Sequence, residues 1–81
     1  MVTTEFSEQF FALYSRLDHQ YKARIKKLIR KLVENPEIGK PMRYERKGTR
    51  ELYLPPFRLV YAWLPTEDKI ILLDIYHKDK Q

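Results

Sequence analysis

Basic residues are concentrated in two segments of this 81-residue chain, and both have the chemistry of phosphate contact. The first runs from Lys22 to Lys31 and holds six basic residues and no acid, among them Lys27, Arg30 and Lys31. The rest of the chain has ten basic and eleven acidic residues, so the formal charge of +5 belongs to this segment. Such a run is either a solvated helix face or a surface that contacts RNA phosphates, each of which adds salt-dependent affinity.

The second basic segment leads into a stretch rich in aromatic residues. Five bases are opposed by the single acid Glu45: Lys40, Arg43, Arg46, Lys47 and Arg50. Tyr53, Tyr61, Trp63 and Tyr76 follow them. The segment is either a charged loop or one side of an RNA surface, in which Arg46, Lys47 and Arg50 contact the backbone and Tyr53 stacks on a base.

Composition limits the other kinds of chemistry. The chain is 43% hydrophobic and 33% charged, which predicts one small globular domain over residues 1–81. It contains no cysteine, which excludes disulfides, thiol nucleophiles and thiolate zinc sites. His19 and His77 are the only histidines and no acidic cluster accompanies either, so we expect no metal or cofactor. No segment resembles a signal peptide or a membrane span, and we expect a cytoplasmic protein without membrane contact.

Two helices are predicted to position the first basic segment. Ser7 is a typical N-cap with Phe6 before it as a hydrophobic staple, and apolar residues at helical spacing predict a helix over residues 8–17. Asp18 caps a longer apolar stripe that ends at Asn35-Pro36. Because only Asp18 separates them, the helices are expected to form an antiparallel hairpin.

The period of two that is typical of strands governs the second half of the chain. Three predicted strands cover residues 50–54, 57–64 and 69–77, and the short connections between them indicate an antiparallel meander. Ile70 to Ile75 is apolar at five of six positions, which favours an interior strand, and Val2 to Thr4 is a candidate for a short strand beside it. The fold class is therefore α+β, an antiparallel sheet of about three to four strands with the helix hairpin on one face.

The order of these segments resembles the RelE/ParE superfamily of toxins from type II toxin–antitoxin pairs. The resemblance spans nearly the whole chain, from the hairpin through Asn35-Pro36 and Gly39-Lys40-Pro41 to His77-Lys78. Its most specific part is the strand Phe57-Arg58-Leu59-Val60-Tyr61. The family implies a β-α-α-β-β-β arrangement.

The resemblance also implies a catalytic set. RelE-like members cut mRNA on the ribosome without metal, and Arg58 matches the arginine that holds the scissile phosphate. His77 matches a histidine that acts as acid or base in some branches, and Lys78 a basic residue near the phosphate. Glu51 and Tyr53 stand where RelE has lysines, so Glu51 is a candidate base for the 2′-hydroxyl or only an ion-pair partner of Arg50 or Arg58. By strict alternation, His77 and Lys78 face opposite sides of their strand unless it bulges near Tyr76.

Three functions stay open at this point. The leading one is a ribosome-dependent endoribonuclease that contacts the ribosome and mRNA; the others are a ParE-like toxin that acts on DNA gyrase and an inactive RNA- or protein-binding descendant. The resemblance implies a cognate acidic antitoxin, RelB-like, in a toxin–antitoxin hetero-oligomer. Small size, the basic helix and aromatic surface are consistent with such a partner.

Overall fold

Helix caps and turn residues set the boundaries of the elements in the computed structural model, which describes residues 2–42 and 48–77. Within those ranges the elements are β1 (Thr3–Phe6), α1 (Glu8–Ser15), α2 (His19–Glu34), β2 (Lys40–Pro41), β3 (Thr49–Leu54), β4 (Phe57–Leu64) and β5 (Lys69–His77). The α+β class and the β-α-α-β-β-β order are confirmed, with the very short β2 as an addition.

Both predicted caps are present. The Ser7 hydroxyl accepts a hydrogen bond from the Phe10 backbone N–H at 3.0 Å, and the Asp18 carboxylate accepts one from Tyr21 N–H at 3.1 Å. The rings of Phe6 and Phe10 stack with their centroids 5.7 Å apart, as a staple requires. The first helix ends two residues earlier than predicted, and the second has the predicted bounds.

The sheet has the strand order β1-β5-β4-β3-β2 over the described residues. The meander β3-β4-β5 is antiparallel as predicted. However, β1 pairs with β5 in parallel, so the sheet is mixed and has five strands rather than three to four. The predicted interior strand is β5, because β1 lies on one side of it and β4 on the other.

The hydrophobic core lies between the helices and one face of this sheet. Ile25 and Leu32 of α2 are fully buried and belong to the same core cluster as Leu59 and Tyr61 of β4. We call this side the helix face; by strand alternation and pairing it carries Leu52, Phe57, Leu59, Tyr61 and Ile75. The opposite side, the open face, carries Glu51, Tyr53, Arg58, Val60 and Tyr76.

A β-bulge interrupts the pairing of β4 with β5. Tyr61 is paired with Leu72, but its neighbour Val60 is paired with Asp74, so Leu73 is the extra residue. The buried positions of β5 accordingly change from Ile70 and Leu72 to Ile75. Ser7, the N-cap of α1, binds the bulged residue: its Oγ donates to the Leu73 carbonyl at 2.8 Å.

Candidate functional site

Three side chains of the open face form one hydrogen-bonded cluster. Arg58 donates from Nη1 to Glu51 Oε1, and the Tyr76 hydroxyl donates to Glu51 Oε2. The three residues come from the consecutive strands β4, β3 and β5. We call Glu51, Arg58 and Tyr76 the carboxylate cluster.

Strand register brings these residues together. The cis peptide between Pro55 and Pro56 lies in the tight turn that pairs Leu54 with Phe57, and this register puts Tyr53 opposite Arg58. The bulge at Leu73 then puts Tyr76 opposite Arg58 on the other side. Arg58 is thus flanked by a tyrosine on each neighbouring strand.

The cluster is partly shielded from solvent. The Arg58 and Glu51 side chains are 29% and 13% exposed, and the Tyr53 ring lies 5.7 Å from the guanidinium carbon. The hydrogen bond to Glu51 raises the pKa of the Arg58 guanidinium above its ordinary value and outweighs the opposing effect of burial. Arg58 Nε is buried and has no hydrogen-bond acceptor among the described residues.

The cluster contains the groups that phosphoryl chemistry needs. A guanidinium fork binds phosphate oxygens, a carboxylate accepts a proton, and a phenol donates one. Tyr53, half exposed beside them, offers a ring face for stacking. Within residues 2–42 and 48–77 no group of three or more acids and histidines could hold a metal ion.

His77 does not join the cluster. It is paired with Phe57, and the two rings meet edge to face at 5.7 Å on the helix face, next to Leu13 of α1 and to Leu17, which follows that helix. The physical reason is the bulge. If the register set at the β4–β5 turn continued without a bulge, Ile75 and His77 would lie on the open face. With the bulge, Tyr76 lies on the open face and His77 on the helix face.

Arg50 also lies on the helix face, away from Tyr53. It is paired with Tyr61 and donates from Nη1 to the carbonyls of Glu37 (3.0 Å) and Gly39 (2.8 Å). These bonds fix the segment between α2 and β2. Its guanidinium is therefore engaged by backbone on the side of the sheet opposite to Arg58.

The remaining predicted residues fall into two groups. Lys27, Arg30 and Lys31 are exposed on α2, on the other side of the sheet from the carboxylate cluster. Arg46, Lys47 and Lys78 lie outside the described residues. No helix in the described part of the chain is long and apolar enough to span a membrane.

Tyr76 is the site residue that sequence reasoning missed. Simple alternation places it opposite to Ile75, but which of the two meets Arg58 depends on the bulge. The available signal was the polar Asp74 inside an otherwise apolar strand, which marks the point where the buried side changes.

Comparison with known proteins gives one family and one fold. A family model described as the ParE toxin of type II toxin–antitoxin system, parDE, matches residues 1–81. No curated protein sequence matches the chain.

The solved structures that match include toxins and toxin–antitoxin complexes. The Mycobacterium tuberculosis RelBE2 toxin–antitoxin complex matches with a TM-score of 0.86 at 23% identity, over 94% of this chain and 96% of that chain. The intact Escherichia coli RelBE complex matches with a TM-score of 0.82 at 16% identity, over 95% and 96%. The isolated E. coli RelE toxin matches with a TM-score of 0.83 at 16% identity, over 100% and 88%. At these identities the likeness is one of fold.

Proposed function

Because the chain belongs to the ParE toxin family of type II toxin–antitoxin systems, we propose that it is a toxin that cleaves mRNA on the ribosome through its carboxylate cluster. The observation that supports this proposal is the assembly of Glu51, Arg58 and Tyr76 on the open face, with the Tyr53 ring beside them. The fold is shared with RelE, and these groups suit RNA transesterification.

In the proposed reaction, the 2′-oxygen of the RNA attacks the adjacent phosphorus and the bond to the 5′-oxygen breaks. Glu51 accepts the proton of the 2′-hydroxyl, and Tyr76 gives a proton to the departing 5′-oxygen. Arg58 binds the phosphate oxygens, whose charge grows in the transition state, and so stabilises that state more than the ground state. The products are a 2′,3′-cyclic phosphate and a 5′-hydroxyl end.

His77 has no step in this scheme, because its ring packs on Phe57 on the helix face. Lys78 stays a predicted phosphate contact outside the described residues. For the basic residues of α2, we propose contact with the ribosome or with a partner rather than with the scissile phosphate, since they lie across the sheet from Arg58.

The partner is a cognate antitoxin. The matching RelBE structures are complexes of a toxin with its antitoxin, and E. coli RelE has also been solved with a peptide of the antitoxin RelB. An acidic antitoxin segment fits the uncompensated charge of Lys22 to Lys31 in this chain.

A reconstituted translation system with a defined message tests the proposed activity. We expect new 5′ ends by primer extension when ribosomes translate, none without ribosomes, and none with Arg58→Ala. The matched control is Arg50→Ala, which removes an arginine from the other face of the same sheet.

The second candidate is a gyrase poison of ParE type. It is favoured by the family that matches the chain and by Glu51 and Tyr53, which stand where RelE has lysines. Inhibition of DNA supercoiling by gyrase, without new RNA ends and unaffected by Tyr76→Phe, would select this function instead.

A further inference from the structure

The carboxylate cluster has a feature that the proposed reaction does not use: its anion site is already occupied by the chain itself. Glu51 engages Arg58 with one oxygen and Tyr76 with the other. Carboxylate and phosphate oxygens both accept charge-assisted hydrogen bonds from guanidinium groups. Glu51 therefore occupies two of the donors that a phosphodiester would use, Nη1 of Arg58 and the Tyr76 hydroxyl.

We propose that Glu51 is an internal competitor of the substrate phosphate, which keeps the cluster closed until RNA displaces it from Arg58. The inference rests on the proposed function and concerns the regulation of that site. The displaced carboxylate is then released from the two donors that occupy its oxygens, and it can turn to the 2′-hydroxyl. Binding of the RNA phosphate to Arg58 and release of Glu51 as the base thus occur in the same step.

Burial makes this competition effective. Glu51 is the more shielded member of the ion pair, at 13% exposure. The attraction between Glu51 and Arg58 is therefore less screened by solvent than the attraction within an ordinary surface ion pair. By contrast, Lys69 near the β4–β5 turn pairs with the exposed Glu5 and Glu67 at 3.3 and 3.8 Å. The more shielded ion pair, Arg58 with Glu51, lies at the proposed phosphate site, whereas the exposed pairs of Lys69 lie away from it.

Arg58 retains capacity for another anion. Its buried Nε has no acceptor among the described residues, so one donor of the guanidinium is left unsatisfied. A phosphodiester offers more oxygens than a carboxylate and can satisfy this donor together with the terminal nitrogens. With Glu51 bound, the hydrogen-bonding capacity of the Arg58 guanidinium, the group that would bind the phosphate, is therefore not fully used.

The test measures binding and not cleavage. The probe is a short RNA oligonucleotide with methylated 2′-hydroxyls, which cannot react, titrated by calorimetry at fixed salt. Glu51→Gln should bind it about tenfold or more tightly than the unsubstituted chain, the scale of one charge-assisted hydrogen bond. The double variant Glu51→Gln with Arg58→Gln should lose that gain.

Glu67→Gln is the matched control, because it changes the net charge equally. Glu67 follows the end of β4, and Arg58 lies six residues before that end, which is about 20 Å along the strand. This separation exceeds the Debye length of about 8 Å at physiological salt. We expect a change of about twofold at most. An equal gain in Glu51→Gln and Glu67→Gln, or weaker binding by Glu51→Gln, overturns the proposal.

A second measurement needs no substitution at Glu51. In the unsubstituted chain, the NMR signal of the Arg58 Nε–H should shift on titration with the same oligonucleotide, together with the Glu51 carboxyl carbon. A shift of Arg58 without Glu51 contradicts displacement. Cleavage in the ribosome assay with no displacement here defeats only this inference; displacement without cleavage defeats only the proposed nuclease.

Discussion

Arg50 on β3 and Arg58 on β4 belong to the same sheet, and their guanidinium groups lie on its opposite faces. Arg50 donates to two backbone carbonyls beside the core, whereas Arg58 donates to a carboxylate and keeps a buried nitrogen without an acceptor among the described residues. The first arginine completes the bonding of a loop, and the second belongs to a cluster that can still bind a ligand. Strand parity, and not charge, separates the structural role of Arg50 from the candidate functional role of Arg58.

The two arginines give the largest expected difference. Arg58→Ala should lower the rate of mRNA cleavage by about 10²- to 10³-fold, the scale for the loss of one donor to a developing oxyanion. Its free energy of unfolding should fall by less than that of Arg50→Ala, because Arg58 is the more exposed member of its ion pair. Arg50→Ala should instead lower the free energy of unfolding by about 1 to 3 kcal/mol and leave the cleavage rate of the folded fraction unchanged.

Single-turnover cleavage and urea unfolding measure the two quantities separately. A loss of cleavage in folded Arg50→Ala equal to that in Arg58→Ala would break the division between the faces.

The tight contact between Gly39 and Tyr61 on the helix face gives the next largest expected effect, a loss of stability. A Cβ at Gly39 would lie 2.5 Å from the Tyr61 hydroxyl oxygen and 2.6 Å from its ring. Gly39→Ala should therefore destabilise the fold by about 1 to 3 kcal/mol through overpacking. Gly48→Ala is the comparison: Gly48 has φ +95°, and a Cβ there would meet no described residue within 4 Å, so the cost expected from the described part of the chain is backbone strain. Thermal and urea unfolding of both variants measure the difference.

Two hydroxyls sharpen the comparison between faces. The Tyr61 hydroxyl accepts from Gly39 N–H at 2.9 Å and donates to the Pro36 carbonyl at 2.7 Å, while the Tyr76 hydroxyl donates to Glu51. Tyr61→Phe should lower the free energy of unfolding by about 1 to 3 kcal/mol, because it leaves buried groups unpaired. Tyr76→Phe should cost less stability and should slow cleavage about 10²-fold if its proton is used. Equal stability losses, with full cleavage by both, contradict this assignment.

The smallest expected effect is a dependence on alkaline pH. Burial raises the pKa of Tyr61 above its ordinary value of 10.0. Above pH 10 the unfolded chain therefore binds fewer protons than the folded one, so the stability from this group is complete below pH 10 and is lost as pH rises through the folded-state pKa. The difference in unfolding free energy between the unsubstituted chain and Tyr61→Phe should shrink over that range. A constant difference would falsify the linkage.

The sequence predicts the fold of this protein well because its signals are local. Ser7 and Asp18 cap the helices as expected, and the period of two and the proline turn define the meander. The parallel pairing of β1 and the tiny β2 were less accessible, since both depend on contacts distant in the chain.

The candidate site is predicted only in part. Glu51, Tyr53 and Arg58 could be placed together, because one tight turn fixes the register of β3 and β4. Tyr76 and His77 could not be placed correctly, because their side of the sheet depends on one extra residue in β5. The sequence predicts RNA contact for Arg50 from its charge alone, whereas the two carbonyls that it binds come from a loop more than ten positions away.

The bulge at Leu73 decides whether a proton donor lies beside Arg58 at all. If the pairing of β4 with β5 continued from the turn without a bulge, the apolar Ile75 would lie opposite Arg58; the extra residue places Tyr76 there instead. Ser7 binds the Leu73 carbonyl, so the N-cap of α1 is tied to the bulge. The gain of one residue in a strand is thus a route by which such a fold can acquire a functional group while its composition stays nearly constant.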